Sequence, residues 1–539
     1  MPAVSPWLRT AAIVAATLVA YLPALGAGFV WDDDDYVTKN PLLHEPDGLV
    51  RIWFSSDAPS QYFPLVYTSF RLEYALWGLD PFGYHLVNVC LHAANALLVW
   101  RVLARLALPG AWLAAAIFAL HPVHVESVAW ISERKNVLST LCFLGALLAW
   151  LRFALDGAGK RWWAASFGLY ALALFAKTTA CTLPAAQLLA LWLRGRAIDA
   201  RRIAQLAPFL LFGVAMGAFT ILWERLHQGT RGERFELGFV ESALVAGRAV
   251  WFYLGKLVLP VRLSFSYPKF EIDPGDPRAW GWLALGALLL LVLWRARGRL
   301  GRGPLAAALF FVAMLSPVLG FIPLYTFLYT YVADHYQYVA SLGPIALAAG
   351  AGARAFQGRR GGAVVALGLL ATLGVLTWRQ SRAYESTETL WRDVIAKHPG
   401  SWMAYTNLGR EMLREKRWAE AIPWFEAALR VDPGLARPHL GLGTAYLELG
   451  RREEAEAALR RALAADPDLR PARERLARLR ERAGDLDGAI EQWREVVRIA
   501  PTSARGHEGL ARTLARRGRT AEAELHAAEA RRLRAPRAP

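Results

Sequence analysis

Apolar runs of membrane length recur from the N-terminus to about residue 380 of this 539-residue chain, and they limit its architecture more than any other feature. In hydrocarbon every backbone N–H and C=O must be satisfied within the protein, so such runs read as α-helices. Composition agrees, with 55% hydrophobic residues and a mean hydropathy of +0.24. The pattern places about eleven spans, at 8–30, 86–108, 111–121, 137–153, 162–176, 178–193, 203–223, 279–294, 304–321, 338–355 and 363–378. The stretch 244–263 is also apolar, but Arg248, Lys256 and Arg262 interrupt it, so it reads as an interfacial or re-entrant helix. The first span is expected to be retained as an anchor, because its apolar stretch is long for a cleaved leader.

The net charge of +17 divides unevenly. Residues 381–539 hold 30 Lys and Arg against 24 Asp and Glu, whereas the membrane part holds 32 against 21. In the membrane part the basic residues gather in short loops, at Lys160 and Arg161, at Arg194, Arg196, Arg201 and Arg202, at Arg295, Arg297, Arg299 and Arg302, and at Arg354, Arg359 and Arg360. With 244–263 not crossing, all of these loops share the side of the N-terminus, which the positive-inside rule makes cytoplasmic. The charge therefore reflects topology and does not point to nucleic acid. Cys90, Cys142 and Cys181 lie in apolar segments without metal-ligand spacing and read as core residues.

Three groups of ionisable residues fall on the opposite, external side. Directly after the first span comes Trp31 to Asn40, WDDDDYVTKN. Neighbouring carboxylates raise one another's pKa, so such a run suits a proton acceptor near neutral pH, a cation site or a solvated acidic turn. Between the third and fourth spans lies HPVHVESVAWISERKN, with His121, His124, Glu126, Glu133, Arg134, Lys135 and Asn136. No short metal motif matches its spacing, so hydrogen-bonding and phosphate-binding roles are expected. Lys177 separates the fifth and sixth spans at the same face, where it can snorkel or meet an anion. The third group is Asp334 and His335, within an aromatic loop before the tenth span. Within the second span His85, Asn88, His92 and Asn95 form a polar stripe, which for His92 and Asn95 reads as interhelical hydrogen bonding.

After residue 380 the period changes to 34. Pro399, Pro433, Pro467 and Pro501 keep that step, as do Leu408, Leu442, Leu476 and Leu510, Ala421, Ala455, Ala489 and Ala523, and Gly450, Gly484 and Gly518. This is the tetratricopeptide period: about four helix pairs over 381–539 that stack into an α-solenoid with a concave surface for a protein or peptide. The Arg-rich end, 531–539, reads as a solvating cap or tail.

Taken in order, FVWDDDDYVTKNP, YHLVNVCLHAAN, HPVHVESVAWISERKNVL and the C-terminal repeats resemble the transmembrane and tetratricopeptide-repeat O-mannosyltransferases and their bacterial relatives. The resemblance implies an all-α chain with a GT-C-like polytopic membrane domain at 1–380 and the repeat solenoid at 381–539. It further implies an integral-membrane enzyme that moves a sugar, mannose by family expectation, from a polyprenyl phosphate to Ser/Thr hydroxyls of exported proteins with inversion. Asp32 and Asp33 match the family's acidic pair, one of them being the base. His121, His124, Glu126, Arg134, Lys135, Lys177, Asp334 and His335 are then expected to bind substrate, with the cations facing the leaving phosphate. Relatives carry Glu-Arg-Tyr where this chain has Asp334, His335 and Tyr336. No cofactor beyond the polyprenyl-phosphate donor is implied, and a divalent metal is left open. The expected setting is a bacterial inner membrane, with a cytoplasmic N-terminus and external repeats that engage protein. Two other functions fit less of the pattern. The same donor can serve a lipid or glycan acceptor, and a non-enzymatic scaffold leaves the external clustering of Asp32, Asp33, Glu126 and Arg134 without a purpose. A transporter would call for internal duplication of the membrane segments, which is not evident.

Overall fold

The computed structural model describes residues 5–55, 61–227, 237–357, 359 and 361–534. Arg360 and residues 535–539 of the C-terminal tail, both singled out above, lie outside them. Among the described residues the regular structure is helical throughout, without strands. The chain divides into two compact units, Met1–Leu390 and Trp391–Pro539.

In the first unit each expected span contains a helix, but several are shorter than the apolar run. The first breaks into Pro6–Ala20 and Leu22–Leu25, with Pro23 placed at the start of the second piece, where a missing N–H costs nothing. The ninth ends at Leu315 and passes into a 3₁₀ turn holding Pro317, and the tenth begins only at Leu342. Five described helices are long and apolar enough to cross a membrane: Pro81–Arg105, Ile131–Ala154, Ala200–His227, Pro277–Leu300 and Gly361–Tyr384. The pair Ala111–Leu120 and Pro122–Ala129, bent by 55°, makes a sixth if counted as one broken span. The stretch 244–263 lies mostly within the helix Phe239–Val258, whose Glu241, Arg248 and Lys256 keep it out of this set. Helix Pro277–Leu300 buries none of its residues in the protein, as expected of a lipid-facing element.

The core of this unit packs Phe118, Trp150, Tyr170 and Tyr338 among small Ala positions. The polar stripe of Pro81–Arg105 is fully buried and bonds across helices: His92 Nδ1 meets the Tyr338 hydroxyl at 2.6 Å, and Asn95 Nδ2 donates to the Val137 carbonyl at 2.8 Å. The cysteines differ from the core reading, since only Cys142 is buried; Cys181 is half-buried, and Cys90 faces outward from Pro81–Arg105 as a lipid-side residue would.

The long loop after the first span is folded rather than extended. Helices Gly48–Phe54 and Pro64–Trp77 pack Ile52, Phe63, Val66, Tyr67 and Phe70 against Tyr36, Val37 and Ile131. This small apolar cluster fixes the acidic turn against the loop 121–133.

The second unit contains four helix pairs, Trp402–Arg414 with Trp418–Val431, Ala436–Glu448 with Arg452–Ala465, Arg470–Ala483 with Leu486–Ile499, and Ala504–Arg516 with Thr520–Arg534. The periodic leucines and alanines are all buried. Each periodic proline follows two residues after a second helix, or after the lone helix Thr387–Lys397 for Pro399, where it blocks continuation. Gly450, Gly484 and Gly518 turn the chain between paired helices at φ of 75°, 84° and 85°. The first repeat has Lys416 in this position, at φ 60°.

Candidate functional site

The site is built where the acidic turn meets the N-terminal end of helix Arg134–Ala154. Trp31 opens the turn in the left-handed region at φ 53°, an uncommon conformation for a bulky side chain. Asp34–Thr38 then winds as a π-helix, a form that gathers at functional sites. The four carboxylates of the turn meet different surroundings. Asp34 accepts from Thr38 Oγ1 at 2.7 Å and pairs with Lys39 at 2.5 Å, and Asp35 is exposed.

Asp33 and Asp32 face inward with different surroundings. Asp33 is fully buried; one carboxylate oxygen accepts the Val30 N–H at 2.9 Å, and the other accepts the Ser132 N–H at 2.8 Å together with the Ser132 hydroxyl. Burial outweighs these donors and pushes its pKa up to about 7, aided by the charge on Asp32. Asp32 makes no side-chain hydrogen bond or ion pair among the described residues. Burial raises its pKa to about 6, with Lys135 pulling it down and Asp35 and Glu133 pushing it up. Of the expected pair, then, Asp33 is a joint between two loops and Asp32 is the open carboxylate.

Beside Asp32, the buried Glu133 collects the cations. Lys135 Nζ lies 2.9 Å from one of its oxygens and Lys177 Nζ 3.4 Å from the other, while His335 Nε2 is 3.9 Å away. Asn136 holds this group in place, donating to Glu133 at 2.6 Å and to the His335 carbonyl at 3.0 Å, and accepting from Lys177 at 2.8 Å. Lys135 is enclosed by Tyr36, Phe63 and Trp130, each ring centre within 6 Å of Nζ. Lys177, between two helices, has its pKa lowered by burial against the pull of Glu133. A small cavity next to it is lined by Asn136, Ser139, Thr179, His335 and Tyr336.

Glu126 and His335 form a second pair. One Glu126 oxygen lies 3.0 Å from His335 Nδ1 and the other accepts the His335 N–H at 2.9 Å, so the glutamate clamps ring and backbone together. Asp334 turns away from this pair, receiving the Tyr267 hydroxyl at 2.9 Å.

Three more expected substrate-binding residues do not join the group. All five guanidinium N–H groups of Arg134 are taken, by Asn88 Oδ1, Ser69 Oγ, both Glu73 oxygens and the Tyr84 carbonyl, and the side chain is fully buried. His121 bonds through Nε2 to the Leu257 carbonyl at 3.0 Å and caps the following turn through Nδ1. His124 bridges the Phe118 carbonyl and Ser341 Oγ at 2.8 and 3.0 Å. These three brace the loop. With both ring nitrogens engaged, neither histidine presents a free ligand atom, and among the described residues no group of three or more His, Cys, Asp or Glu could hold a metal ion.

Glu73, Ser132 and Glu224 are not among the residues the sequence singles out, and Glu133 and Asn136 are named there only within the second ionisable group and not among the substrate-binding residues. Glu133 and Asn136 stood inside the SERKN stretch, so they were within reach. Ser132 gives no sign of its partner 99 positions away. Glu224, near the end of Ala200–His227, is close enough to act electrostatically on Tyr36 and Tyr336, and Lys135 acts on it in turn.

The model of the tetratricopeptide repeat family matches residues 412–482, and a second such model matches 372–436 and 474–538. "Protein O-mannosyl-transferase Tmtc3" of Drosophila melanogaster is 26% identical across 85% of this chain and 59% of its own length. "Protein O-mannosyl-transferase Tmtc1" of the same organism is 38% identical across 26% of this chain and 18% of its own. The chain thus spans about three-fifths of the length of the first of these curated relatives. Among solved structures, a crystal structure of MamA superposes with a TM-score of 0.26 at 21% identity, covering 27% of this chain and 86% of that one. Along most of its length this membrane protein is thus similar to the protein O-mannosyl-transferase Tmtc3, and its C-terminal part carries tetratricopeptide repeats.

Proposed function

We propose that this chain transfers a mannosyl group from a polyprenyl phosphate to Ser/Thr hydroxyls of an exported protein, with inversion at the anomeric carbon. The observation that carries the reading is the open Asp32 carboxylate beside the Lys135–Glu133–Lys177 cluster. In the proposed step the acceptor oxygen attacks the anomeric carbon and loses its proton to Asp32. The bond from that carbon to the phosphate oxygen breaks, and the phosphate departs with the electron pair. A base of pKa about 6 is ionised at neutral pH yet still holds a proton usefully. Lys177 spends its bonds on Asn136 and Glu133, and an ammonium has three donors, so one remains for a phosphate oxygen. Lys135 and Lys177 set two cations against the one Glu133 carboxylate, which suits this side of the site to an anion. Glu126 orients His335 toward the same space.

In this reading the acidic turn and the loop 121–133 face the non-cytoplasmic side of a bacterial inner membrane, and the repeats engage the protein acceptor. The names of the relatives support a protein acceptor over a lipid or glycan one.

The test is incubation of membranes carrying the chain with polyprenyl-phosphate [³H]mannose and endogenous exported proteins. The reading expects label in protein that alkaline β-elimination releases. Label recovered only in lipid would overturn the protein acceptor, and no transfer above membranes lacking the chain would overturn the reading.

A further inference from the structure

The third and fourth repeats carry a feature that sugar transfer does not explain. Their first helices, Arg470–Ala483 and Ala504–Arg516, bring Arg475, Arg478, Arg505 and Arg512 onto one face. Arg475 and Arg478 are three residues apart, hence neighbours on the helix surface, and Arg505 and Arg512 are seven apart, on the same side of theirs. The Arg478 and Arg512 guanidiniums lie 5.9 and 6.0 Å from the centre of one indole ring, that of Trp493, which draws like charges together.

The carboxylates at this face do not balance the arginines. Glu481 is buried and already accepts the Trp493 indole N–H at 2.8 Å and the Thr513 hydroxyl, besides pairing with Arg512 at 3.2 Å. Glu474 is shared, at 3.5 Å from Arg470 and 3.7 Å from Arg505. Arg478 has no hydrogen bond or ion pair among the described residues, and Arg475 reaches only the Pro471 carbonyl. Burial and mutual repulsion both press on the charge of Arg475 and Arg478, a cost that an anion placed between them would relieve.

We infer that the face formed by Arg475, Arg478, Arg505 and Arg512 is a docking site for an acidic peptide segment, with Asp or Glu side chains entering between the guanidiniums. Arg505 and Arg512 already meet carboxylates here, so the side chains suit that partner. Glu474 and Glu481, set among the arginines, favour spaced carboxylates over the closely spaced phosphates of a nucleic acid. The site would select among protein partners by charge, whether or not the partner receives a sugar.

The test uses the full chain purified in detergent and a fluorescein-labelled twelve-residue peptide of alternating Glu and Gly, read by fluorescence anisotropy. A Gln/Gly peptide and a twelve-nucleotide deoxythymidylate strand serve as comparisons. Binding of the Glu/Gly peptide is expected to exceed that of Gln/Gly, and to weaken about tenfold or more in the Arg478→Gln, Arg512→Gln double variant. The variant should stay folded with a cooperative unfolding transition, the Trp493 and Thr513 donors still holding Glu481, and Arg297→Gln with Arg299→Gln should bind like the parent. Equal binding of the two peptides, undiminished binding by the Arg478 and Arg512 variant, or tighter binding of the nucleotide strand would overturn the inference.

Discussion

The carboxylate of Asp33 holds Ser132 by both its backbone N–H, at 2.8 Å, and its hydroxyl, joining the acidic turn to a loop 99 residues away. The joint sets the distance between the adjacent Asp32 and the Glu133 cluster, because each lies one residue from a member of the bonded pair. The two aspartates of the turn therefore separate into a bonded residue, Asp33, and an open one, Asp32, to which the proposed reading gives the chemistry.

Asp33→Asn puts an amide donor where three protein donors converge, so at least one N–H or O–H is left facing another donor. The cost of such an unsatisfied buried group is about 1–3 kcal/mol. We expect a lower thermal unfolding midpoint for Asp33→Asn in detergent and an unchanged or higher one for Asp32→Asn, which removes a carboxylate whose ionisation the fold penalises. Equal midpoints for the two variants would contradict the division.

The pH dependence follows from the Asp32 value of about 6. As a base it acts only when ionised, so transfer should fall as pH drops through about 6 and level off above about 7. The stability sign is opposite: a carboxyl raised above its ordinary 3.8 penalises ionisation in the fold, so this contribution is lost as pH rises from about 4 to about 6. A pH–rate profile over 5–8 checks the first statement, and a profile flat from 5 to 8 would contradict it.

Arg134 offers a contrast with Lys177. Replacing Arg134 by Gln removes donors from Glu73 and leaves a buried carboxylate without its counter-charge, a loss of about 3–5 kcal/mol. Lys177→Gln keeps a donor for Asn136 and should cost far less stability while weakening the response to donor concentration. Unfolding midpoints and the apparent KM for the lipid-linked sugar separate the two. An Arg134→Gln protein as stable as the parent would contradict the structural role.

In the first repeat Lys416 occupies, at φ 60°, the turn where the other three repeats have glycine. A side chain in that region costs roughly 1–2 kcal/mol, and glycine returns part of this through its greater freedom in the unfolded chain. Lys416→Gly is expected to raise stability by about 0.5–1 kcal/mol, read as a small upward shift in the unfolding midpoint. A downward shift would contradict it.

Much of this arrangement was legible in the sequence because it is local or periodic. The 34-residue step located the helix pairs, their buried leucines and the glycine turns, and apolar runs located the membrane helices. The broken ends were harder to read, since hydropathy does not register a proline that starts a new turn at Pro23 or Pro317. At the site, charge density located the acidic run and the SERKN stretch, yet composition could not tell an occupied charge from an open one. Arg134 and Lys135 are adjacent in the chain, but one is closed on every donor by partners such as Glu73, 61 residues earlier, and the other pairs, among the described residues, with Glu133 alone and faces Tyr36 of the turn. The partners that decide this are tertiary, and no spacing rule supplies them.

The central claim is that Asp32 takes the proton and Asp33 only positions it. The most direct measurement compares mannose transfer from a polyprenyl phosphate into protein by Asp32→Asn and Asp33→Asn membranes, at equal amounts of folded chain. The account predicts a loss of about 10²- to 10⁴-fold for Asp32→Asn and measurable transfer by whatever Asp33→Asn protein folds. Full transfer by Asp32→Asn, with transfer abolished in well-folded Asp33→Asn, would contradict it.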